Sequence, residues 1–192
     1  MRTSVASFSA SVVDWQERHG RHDMPWQRNR DPYAIWLSEI MLQQTQVTTV
    51  IPYYLRFLDR FPSIAALAIG TENEVLTLWS GLGYYSRARN LHRAARQVVR
   101  ELRTEFPVSR EAIETLPGIG RSTAAAISVF AFGAREAILD GNVKRVLARH
   151  FAVEGFPGDR AVETVLWRLA ESLLPAAKID RRPAPALNRR VP

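Results

Sequence analysis

The sequence predicts an all-α protein, and two observations support this fold class. Apolar residues recur at helical spacing in nearly every segment, and no segment alternates as a half-buried strand does. A chain of 192 residues suffices for one sizeable domain or for two small helical lobes. It contains no run of about 18 apolar residues and no secretory signal, so we expect no membrane contact and a cytoplasmic location. Because cysteine is absent, no disulfide or thiolate metal site is expected.

Several of the predicted helices have recognisable ends. Gly20 ends the first helix, and Asp31 caps the second with Pro32 in its first turn. Thr71, followed three residues later by Glu74, forms a capping box at the start of another. The helices are expected at residues 8–19, 32–45, 47–61, 63–68, 71–79, 84–103, 109–115, 121–131, 142–151 and 158–174.

The segment 84–103 is the clearest amphipathic helix. Its apolar face comprises Leu91, Ala95, Val98 and Leu102, and its arginine face comprises Arg89, Arg93, Arg96, Arg100 and Arg103. An arginine stripe of this kind is more often a solvated face than a track for phosphates. The four histidines show no metal-ligand spacing, so no metal site is expected.

The chain carries a net positive charge, but the distribution of this charge along the sequence says little about which partner it binds. The net charge of +7 suggests a polyanion. The last 17 residues, however, carry a net charge of +4, which leaves only +3 for the remaining body. This arginine- and proline-rich tail is expected to be disordered.

The segment LPGIGRSTA, residues 116–124, lies between two predicted helices and indicates a helix-hairpin-helix. Gly118 and Gly120 permit a tight turn with positive φ, and Ile119 would pack between the helices. Free N–H groups of the turn and of the helix that Arg121 begins would then point toward a phosphate. Such a motif grips a DNA backbone without reading its sequence. The alternative is an ordinary corner between two helices, closed by glycines.

Two carboxylates are candidates for chemistry. Asp140 follows Gly120 by 20 residues, so one intervening helix could return it to DNA held by the hairpin. Its simpler interpretation is an N-cap. Glu39 shares a helix stripe with Ile35 and Leu42, where burial of an unpartnered carboxylate would be costly. A raised pKa would make Glu39 a proton donor near neutral pH; the alternative is that it faces water or pairs with an arginine.

Amide and aromatic side chains form a further candidate group, comprising Gln43, Gln44, Gln46, Tyr84 and Tyr85. Amides can bond to the edges of bases, and aromatic rings can stack on bases or wedge between them. These residues would then form a rim that contacts bases. Residues of these types are more often plain helix surface or packing.

Four blocks of sequence together resemble one family, the adenine DNA glycosylases of the MutY type. The blocks are WLSEIMLQQTQV, LWSGLGYYSRARNLH, LPGIGRSTAAAI and ILDGNVKRVLAR, and the similarity runs from about Phe8 to Leu174. The resemblance implies an enzyme of base excision repair that hydrolyses the N-glycosidic bond of adenine opposite 8-oxoguanine or guanine. It also implies a monomer that acts on double-stranded DNA at the nucleoid, in a bacterial-type cytoplasm.

The resemblance implies roles for individual residues. Glu39 matches the family's catalytic glutamate, which protonates adenine and helps to handle the attacking water. Asp140 matches the aspartate that stabilises the oxocarbenium-like sugar, and Asn142 matches an active-site asparagine. Gln44 and Tyr84 match residues that enter the duplex beside the lesion pair. The expected DNA-binding residues are Gln43, Gln44, Tyr84, Gly118, Gly120 and Arg121.

Ser122 also supports the active site and refines the expected reaction. Related glycosylase-lyases carry a lysine at this place as the Schiff-base nucleophile, so simple hydrolysis is expected here. The implied fold has two all-α lobes with the flipped base in the cleft between them. Residues 1–28 and 136–175 would form one lobe, residues 29–135 a six-helix lobe with the hairpin, and residues 176–192 a divergent tail.

The family normally continues into a four-cysteine segment that binds a four-iron four-sulfur cluster, and then into a domain that helps to recognise 8-oxoguanine. This chain contains neither, so it is expected to hold no cofactor. The main hypothesis is a monofunctional adenine glycosylase, and the alternative is a non-catalytic DNA-binding remnant of one. A thymine or uracil glycosylase is disfavoured by the MLQQTQV and GLGYY segments.

Overall fold

The computed structural model describes residues 5–175, and within this range all regular structure is helical, as predicted. The expected disordered tail at 176–192 lies outside the described residues. The helices are α1 Val5–His19, α2 Pro32–Leu42, α3 Val47–Arg60, α4 Ile64–Ile69, α5 Glu72–Trp79, α6 Tyr85–Glu101, α7 Arg110–Glu114, α8 Arg121–Phe132, α9 Gly141–His150 and α10 Arg160–Ser172, with a 3-10 turn at Pro25–Gln27. None of these described helices has the length and apolarity needed to cross a membrane.

The chain divides into two compact units. Of the described residues, 5–21 and 133–175 form one unit, and the other, which we call the central unit, spans His22–Phe132. The central unit contains seven α-helices, α2 to α8. This is one more than the resemblance implied, and the short α7 has only five residues.

The central unit is built around α2, which is buried on nearly every side. Eight of its eleven residues are buried, including Trp36, Leu37 and Met41 without any solvent exposure. A helix that is apolar all round belongs inside a protein rather than at its surface. α2 contacts α3, α6 and α8, and Phe57 of α3 and Trp79 of α5 belong to the same apolar core. Any polar side chain on α2 is therefore held in a rigid frame.

The predicted helix starts are confirmed by their hydrogen bonds. The Asp31 carboxylate accepts from the N–H of Tyr33, and Pro32 occupies the first turn of α2. Thr71 and Glu74 form the reciprocal capping box at the start of α5. Side-chain caps of this kind satisfy N–H groups that have no partner within the helix.

The predicted ends of α2 and α6 were wrong. α2 ends at Leu42 rather than at Thr45, because Gln44 adopts a left-handed backbone conformation with φ of 57°. α6 ends at Glu101, so Leu102 leaves the apolar face and is exposed. Neither end is marked by glycine or proline, the residues that usually show a helix end in a sequence.

The other unit has a small apolar core of its own. Leu139, Leu147 and Leu166 are buried there, and Phe8 of α1 packs against them. The chain near Pro175 is fixed to this unit, since Arg135 donates hydrogen bonds to the carbonyls of Leu174 and Pro175. Further residues on the predicted apolar side of α1, Val12 and Trp15, are exposed instead.

Candidate active site

Glu39 is the one charged residue of α2 and begins its last turn. Its neighbours Ser38 and Ile40 are buried, and Glu39 itself is half-buried. The Ser38 hydroxyl is satisfied locally by donating to the carbonyl of Ile35 at 2.7 Å. The structure therefore places a carboxylate at the edge of an apolar core, where burial on one side and access on the other suit a group that exchanges protons with a ligand.

The loop after α2 carries the predicted amide side chains. Gln43 is half-buried, and its side-chain amide donates to the hydroxyl of Thr123 on α8 at 3.3 Å. Gln44 is exposed, and its φ of 57° lies in a region that side chains other than glycine seldom adopt. The two glutamines thus differ: Gln43 ties the loop to α8, whereas Gln44 projects from it.

A second loop, between α5 and α6, presents Tyr84. This tyrosine is 61% exposed and has a left-handed φ of 48°. The loop is anchored from within, because the indole N–H of Trp79 donates to the carbonyl of Gly83 at 3.2 Å. At Gly81, where φ is 102°, a Cβ atom would collide with the hydroxyl of Tyr53, so a side chain cannot be placed there. A large exposed ring is thus held on a tightly defined turn.

Arg87 is a buried residue that contacts both of these loops, and the sequence reasoning missed it. It is only 9% exposed, and its guanidinium donates to the carbonyls of Ile40, Met41 and Gln43 at 2.5–3.0 Å. It also donates to the carbonyls of Leu82 and Gly83 and to the hydroxyl of Thr45, at 3.2–3.3 Å. Burial lowers the pKa of Arg87 from its ordinary value. The position gave no signal, because it lies among other arginines on a helix that looks solvated.

The predicted hairpin between α7 and α8 is present. Gly118 has a φ of 79°, and Ile119 is buried, as the motif requires. The turn is closed by the N–H of Ile119 donating to the carbonyl of Leu116 at 3.1 Å. Of the two glycines that were expected to permit positive φ, only Gly118 adopts it, and Gly120 does not have a left-handed backbone. A Cβ atom there would meet nothing within 4 Å, so the position is open rather than conformationally special.

The helix that follows the hairpin begins with Arg121, which is exposed. Ser122 and Thr123 are half-buried in its first turn, and the residues after them are buried alanines. Ser122 therefore offers a hydroxyl at the position where the resemblance implies that related glycosylase-lyases carry a lysine amine.

Asp140 is the N-cap of α9 in the other unit. Its carboxylate is exposed and accepts from the N–H of Val143 at 2.8 Å, so the simpler of its two interpretations is confirmed. Asn142 is also exposed, and its side-chain oxygen accepts from Arg145.

Metal ions and iron-sulfur clusters each require a particular set of ligand side chains. No cysteine is present to supply a thiolate ligand. Among residues 5–175, no group of three or more histidine, aspartate or glutamate side chains is arranged to hold a metal ion. The side chains of this sequence therefore supply none of the thiolate ligands that an iron-sulfur cluster requires.

The sequence profile of the HhH-GPD superfamily of base excision DNA repair proteins matches residues 37–172, which include Glu39, the hairpin and Asp140. The chain belongs to the HhH-GPD superfamily. The match also covers both loops that Arg87 joins. The helix-hairpin-helix in the superfamily's name is the turn that the sequence LPGIG predicted.

Several curated relatives are adenine DNA glycosylases. The chain is 46% identical over 168 residues to that of Buchnera aphidicola subsp. Baizongia pistaciae, covering 88% of this chain and 47% of the relative. It is 44% identical over 183 residues to that of Homo sapiens, covering 91% of this chain and 33% of the relative. This HhH-GPD chain thus spans half the length of these relatives or less.

Solved structures agree with this fold. A thermostable thymine-DNA glycosylase superposes with a TM-score of 0.80 at 31% identity, covering 89% of this chain and 78% of that one. An endonuclease III in a non-covalent complex with DNA superposes with a TM-score of 0.72 at 19% identity, covering 90% of this chain and 78% of that one. The second likeness concerns the fold alone.

Proposed function

We propose that this chain is a monofunctional adenine DNA glycosylase that hydrolyses the N-glycosidic bond of adenine opposite 8-oxoguanine or guanine. The observation that carries the proposal is the placement of Glu39, a single half-buried carboxylate on an otherwise apolar helix. The identity of 42–46% to adenine DNA glycosylases over most of the chain supports adenine as the base.

Glu39 is proposed as the general acid. Adenine is a poor leaving group as an anion, so a proton delivered to its ring lets the base depart as a neutral molecule. The bond between the base nitrogen and C1′ of the sugar breaks, and its electron pair stays with the base. Glu39, now a carboxylate, can take a proton from the water that adds to C1′. The proton balance of the enzyme is thereby restored at the end of the turnover.

Asp140 is proposed to stabilise the positive charge that develops on the sugar. The sugar resembles an oxocarbenium ion in the transition state, and a fixed carboxylate lowers the energy of that state. Its hydrogen bond to Val143 holds the carboxylate in one orientation without neutralising its charge. Asn142 lies two residues on and is proposed to support the same site.

The proposed partner is double-stranded DNA, bound by a single copy of the chain. The exposed turn at Gly118 and Gly120, with Arg121 beside it, is proposed to hold the phosphate backbone. Gln43, Gln44 and Tyr84 are proposed to lie at the bases. A substrate of this kind places the protein with the chromosome, at the nucleoid. Because Ser122 offers no amine, we propose that the reaction ends at the abasic site.

A single-turnover assay tests this function. Purified protein in excess is mixed with a duplex that carries one adenine opposite 8-oxoguanine, and alkali then cleaves the abasic sites. Release of adenine in the parent, with loss of at least about 100-fold in Glu39→Gln, is the expected result. Parallel duplexes with adenine opposite guanine, adenine opposite thymine and thymine opposite guanine define the specificity. Binding without release from any duplex identifies a non-catalytic remnant, and release of thymine instead contradicts the choice of base.

A further inference from the structure

In the central unit, the loop after α2 and the loop before α6 each carry an exposed side chain on left-handed backbone, Gln44 at φ 57° and Tyr84 at φ 48°. One side chain, Arg87, contacts both loops. Its guanidinium donates to the carbonyl of Gln43 at 2.5 Å and to the carbonyl of Gly83 at 3.3 Å. Each of these carbonyls belongs to the peptide bond that immediately precedes a left-handed residue.

This placement matters because φ describes rotation of a residue relative to the peptide plane before it. A hydrogen bond to the carbonyl of residue 43 orients the plane that joins 43 to Gln44, and the bond to residue 83 does the same for Tyr84. Left-handed backbone is unfavourable for side chains other than glycine, and it persists where surrounding contacts enforce it. The Arg87 bonds to both preceding carbonyls are contacts of this kind.

The acceptors also show why arginine occupies the position. Arg87 donates to five backbone carbonyls and to the Thr45 hydroxyl, and none of these six acceptors is charged. Arginine offers a planar fork of donors in fixed directions, whereas lysine offers three donors on one mobile atom. The guanidinium further lies 5.5 Å from the ring centre of Tyr84, within the range of a cation–π contact. Arg87 thus contacts the ring of Tyr84 directly and also binds the carbonyl that precedes this residue.

We propose that Arg87 is a positioning residue that couples the two loops, so that Gln44 and Tyr84 are presented to the duplex in one fixed relative arrangement. The proposal rests on the proposed function, which places both side chains at the bases. Arg87 itself is buried beneath the loops and is not a catalytic residue. Its loss is expected to weaken distortion of the mispair while leaving the hold on the phosphate backbone intact.

The test compares Arg87→Lys with the matched control Arg89→Lys. Arg89 lies on the same helix but is exposed and paired with Glu72, so the control removes an equal set of donors without touching the loops. The DNA probe carries 2-aminopurine next to a 2′-fluoro-deoxyadenosine opposite 8-oxoguanine; the fluorine suppresses base release, and unstacking raises the fluorescence. Circular dichroism melting shows whether each variant is folded at the assay temperature.

Folded Arg87→Lys is expected to lose most of the fluorescence rise and to release adenine about 10- to 100-fold more slowly from the unmodified mispair. Its affinity for an undamaged duplex is expected to stay within about twofold of the parent, as it should for Arg89→Lys. If the parent produces neither unstacking nor base release, the proposed function fails. If the parent produces both and Arg87→Lys matches it, only the role of Arg87 fails.

A double-mutant cycle separates positioning from general support of the fold. Tyr84→Ala and Gln44→Ala are each measured in the parent and in the Arg87→Lys background. If Arg87 acts through these side chains, their removal slows the parent by about fivefold or more but the Arg87→Lys protein by less than about twofold. Equal factors in both backgrounds would overturn the proposal, even if Arg87→Lys alone were slow. Should Arg87→Lys fail to fold, the same cycle is run with Thr45→Val, which removes one acceptor of Arg87.

Discussion

The carboxylate of Asp140 accepts a hydrogen bond from the backbone N–H of Val143 at 2.8 Å, so one side chain begins α9 and is also the proposed stabiliser of the sugar cation. The two roles respond differently to substitution. Asparagine caps a helix as well as aspartate, but it carries no charge. We expect the unfolding free energy of Asp140→Asn to lie within about 0.5 kcal/mol of the parent value. We expect the same variant to release adenine at least about 100-fold more slowly.

Asp140→Ala completes this comparison. Alanine cannot accept the hydrogen bond, so this variant should lose both base release and about 1 kcal/mol of unfolding free energy. Urea unfolding measures the first role, and single-turnover base release measures the second. Near-parental release by Asp140→Asn would show that the residue is a helix cap alone.

Ser122 leads to a prediction about the products. Schiff-base chemistry needs an amine at the sugar, and a hydroxyl cannot form that adduct. We therefore expect no strand scission until alkali or heat is applied, and no covalent adduct after treatment with borohydride. Ser122→Lys is the informative variant, since it should yield some trapped adduct if the new amine reaches the sugar. Trapping in the unmodified protein would contradict the hydrolytic mechanism.

The two hairpin glycines are expected to behave differently when each is replaced by alanine. At Gly118 the backbone is left-handed, and a Cβ atom would lie 2.6 Å from the Cβ of Asn90. Gly118→Ala should therefore lower the unfolding free energy by more than about 1 kcal/mol. At Gly120 the added Cβ atom would lie in open space. The unfolding free energy of Gly120→Ala should therefore lie within about 0.5 kcal/mol of the parent value.

DNA affinity gives a second prediction for the hairpin, at Gly120. A methyl group at exposed Gly120 would stand where a phosphate is proposed to approach the turn, so Gly120→Ala should bind an undamaged duplex several-fold more weakly despite its stable fold. Fluorescence anisotropy measures this affinity, with urea midpoints measured on the same preparations. Unchanged affinity in Gly120→Ala would mean that the hairpin is an ordinary corner between two helices.

The sequence predicted those features that depend on neighbouring residues. Asp31 and Thr71 were identifiable as caps because a cap and its target N–H lie only two or three residues apart. The buried face of α6 was identifiable because Leu91, Ala95 and Val98 repeat with the helical period. Each of these signals is contained in one short window of sequence.

The features that were missed depend on distant residues. Arg87 is buried against the carbonyls of Ile40, Met41 and Gln43, which lie more than 40 residues away in the sequence. The early end of α2 has a related origin, since the loop that replaces its last turn is held by that same guanidinium. A window that contains Arg87 shows only one more arginine on a basic helix. Long-range hydrogen bonds of this kind have no periodic signature in the sequence.

Glu74 gives a prediction about acid stability. Hydrogen bonds from the N–H and hydroxyl of Thr71, together with Arg60, lower the pKa of this glutamate from 4.5 to about 2. A carboxylate with a lowered folded pKa stabilises the fold above its unfolded pKa, and this stabilisation is lost as the pH falls from 4.5 toward 2. Glu74→Gln should therefore lose less stability than the parent between pH 6 and pH 3.5, measured by urea midpoints. Glu154→Gln, in an exposed loop, is the control and should follow the parent.

The basic tail provides a test that distinguishes an enzyme from a remnant. Residues 178–192 contain five basic residues and Asp180, for a net charge of +4. A stop codon after Ala177 removes this charge and leaves intact the carbonyl of Pro175, which accepts from Arg135. Each phosphate contact that is lost should reduce the slope of log affinity against log salt by about 0.9.

If the body carries recognition, this truncation should flatten the salt slope but preserve preference for the mispair over an undamaged duplex. Gly120→Ala should do the opposite in the full chain, weakening affinity with little change in slope, because it removes no charge. The two variants are compared by anisotropy titrations at several salt concentrations between 50 and 200 mM, the range over which phosphate contacts dominate the change in affinity. If truncation abolishes binding while Gly120→Ala has no effect, DNA is held by the basic tail and the helical body does not recognise the substrate.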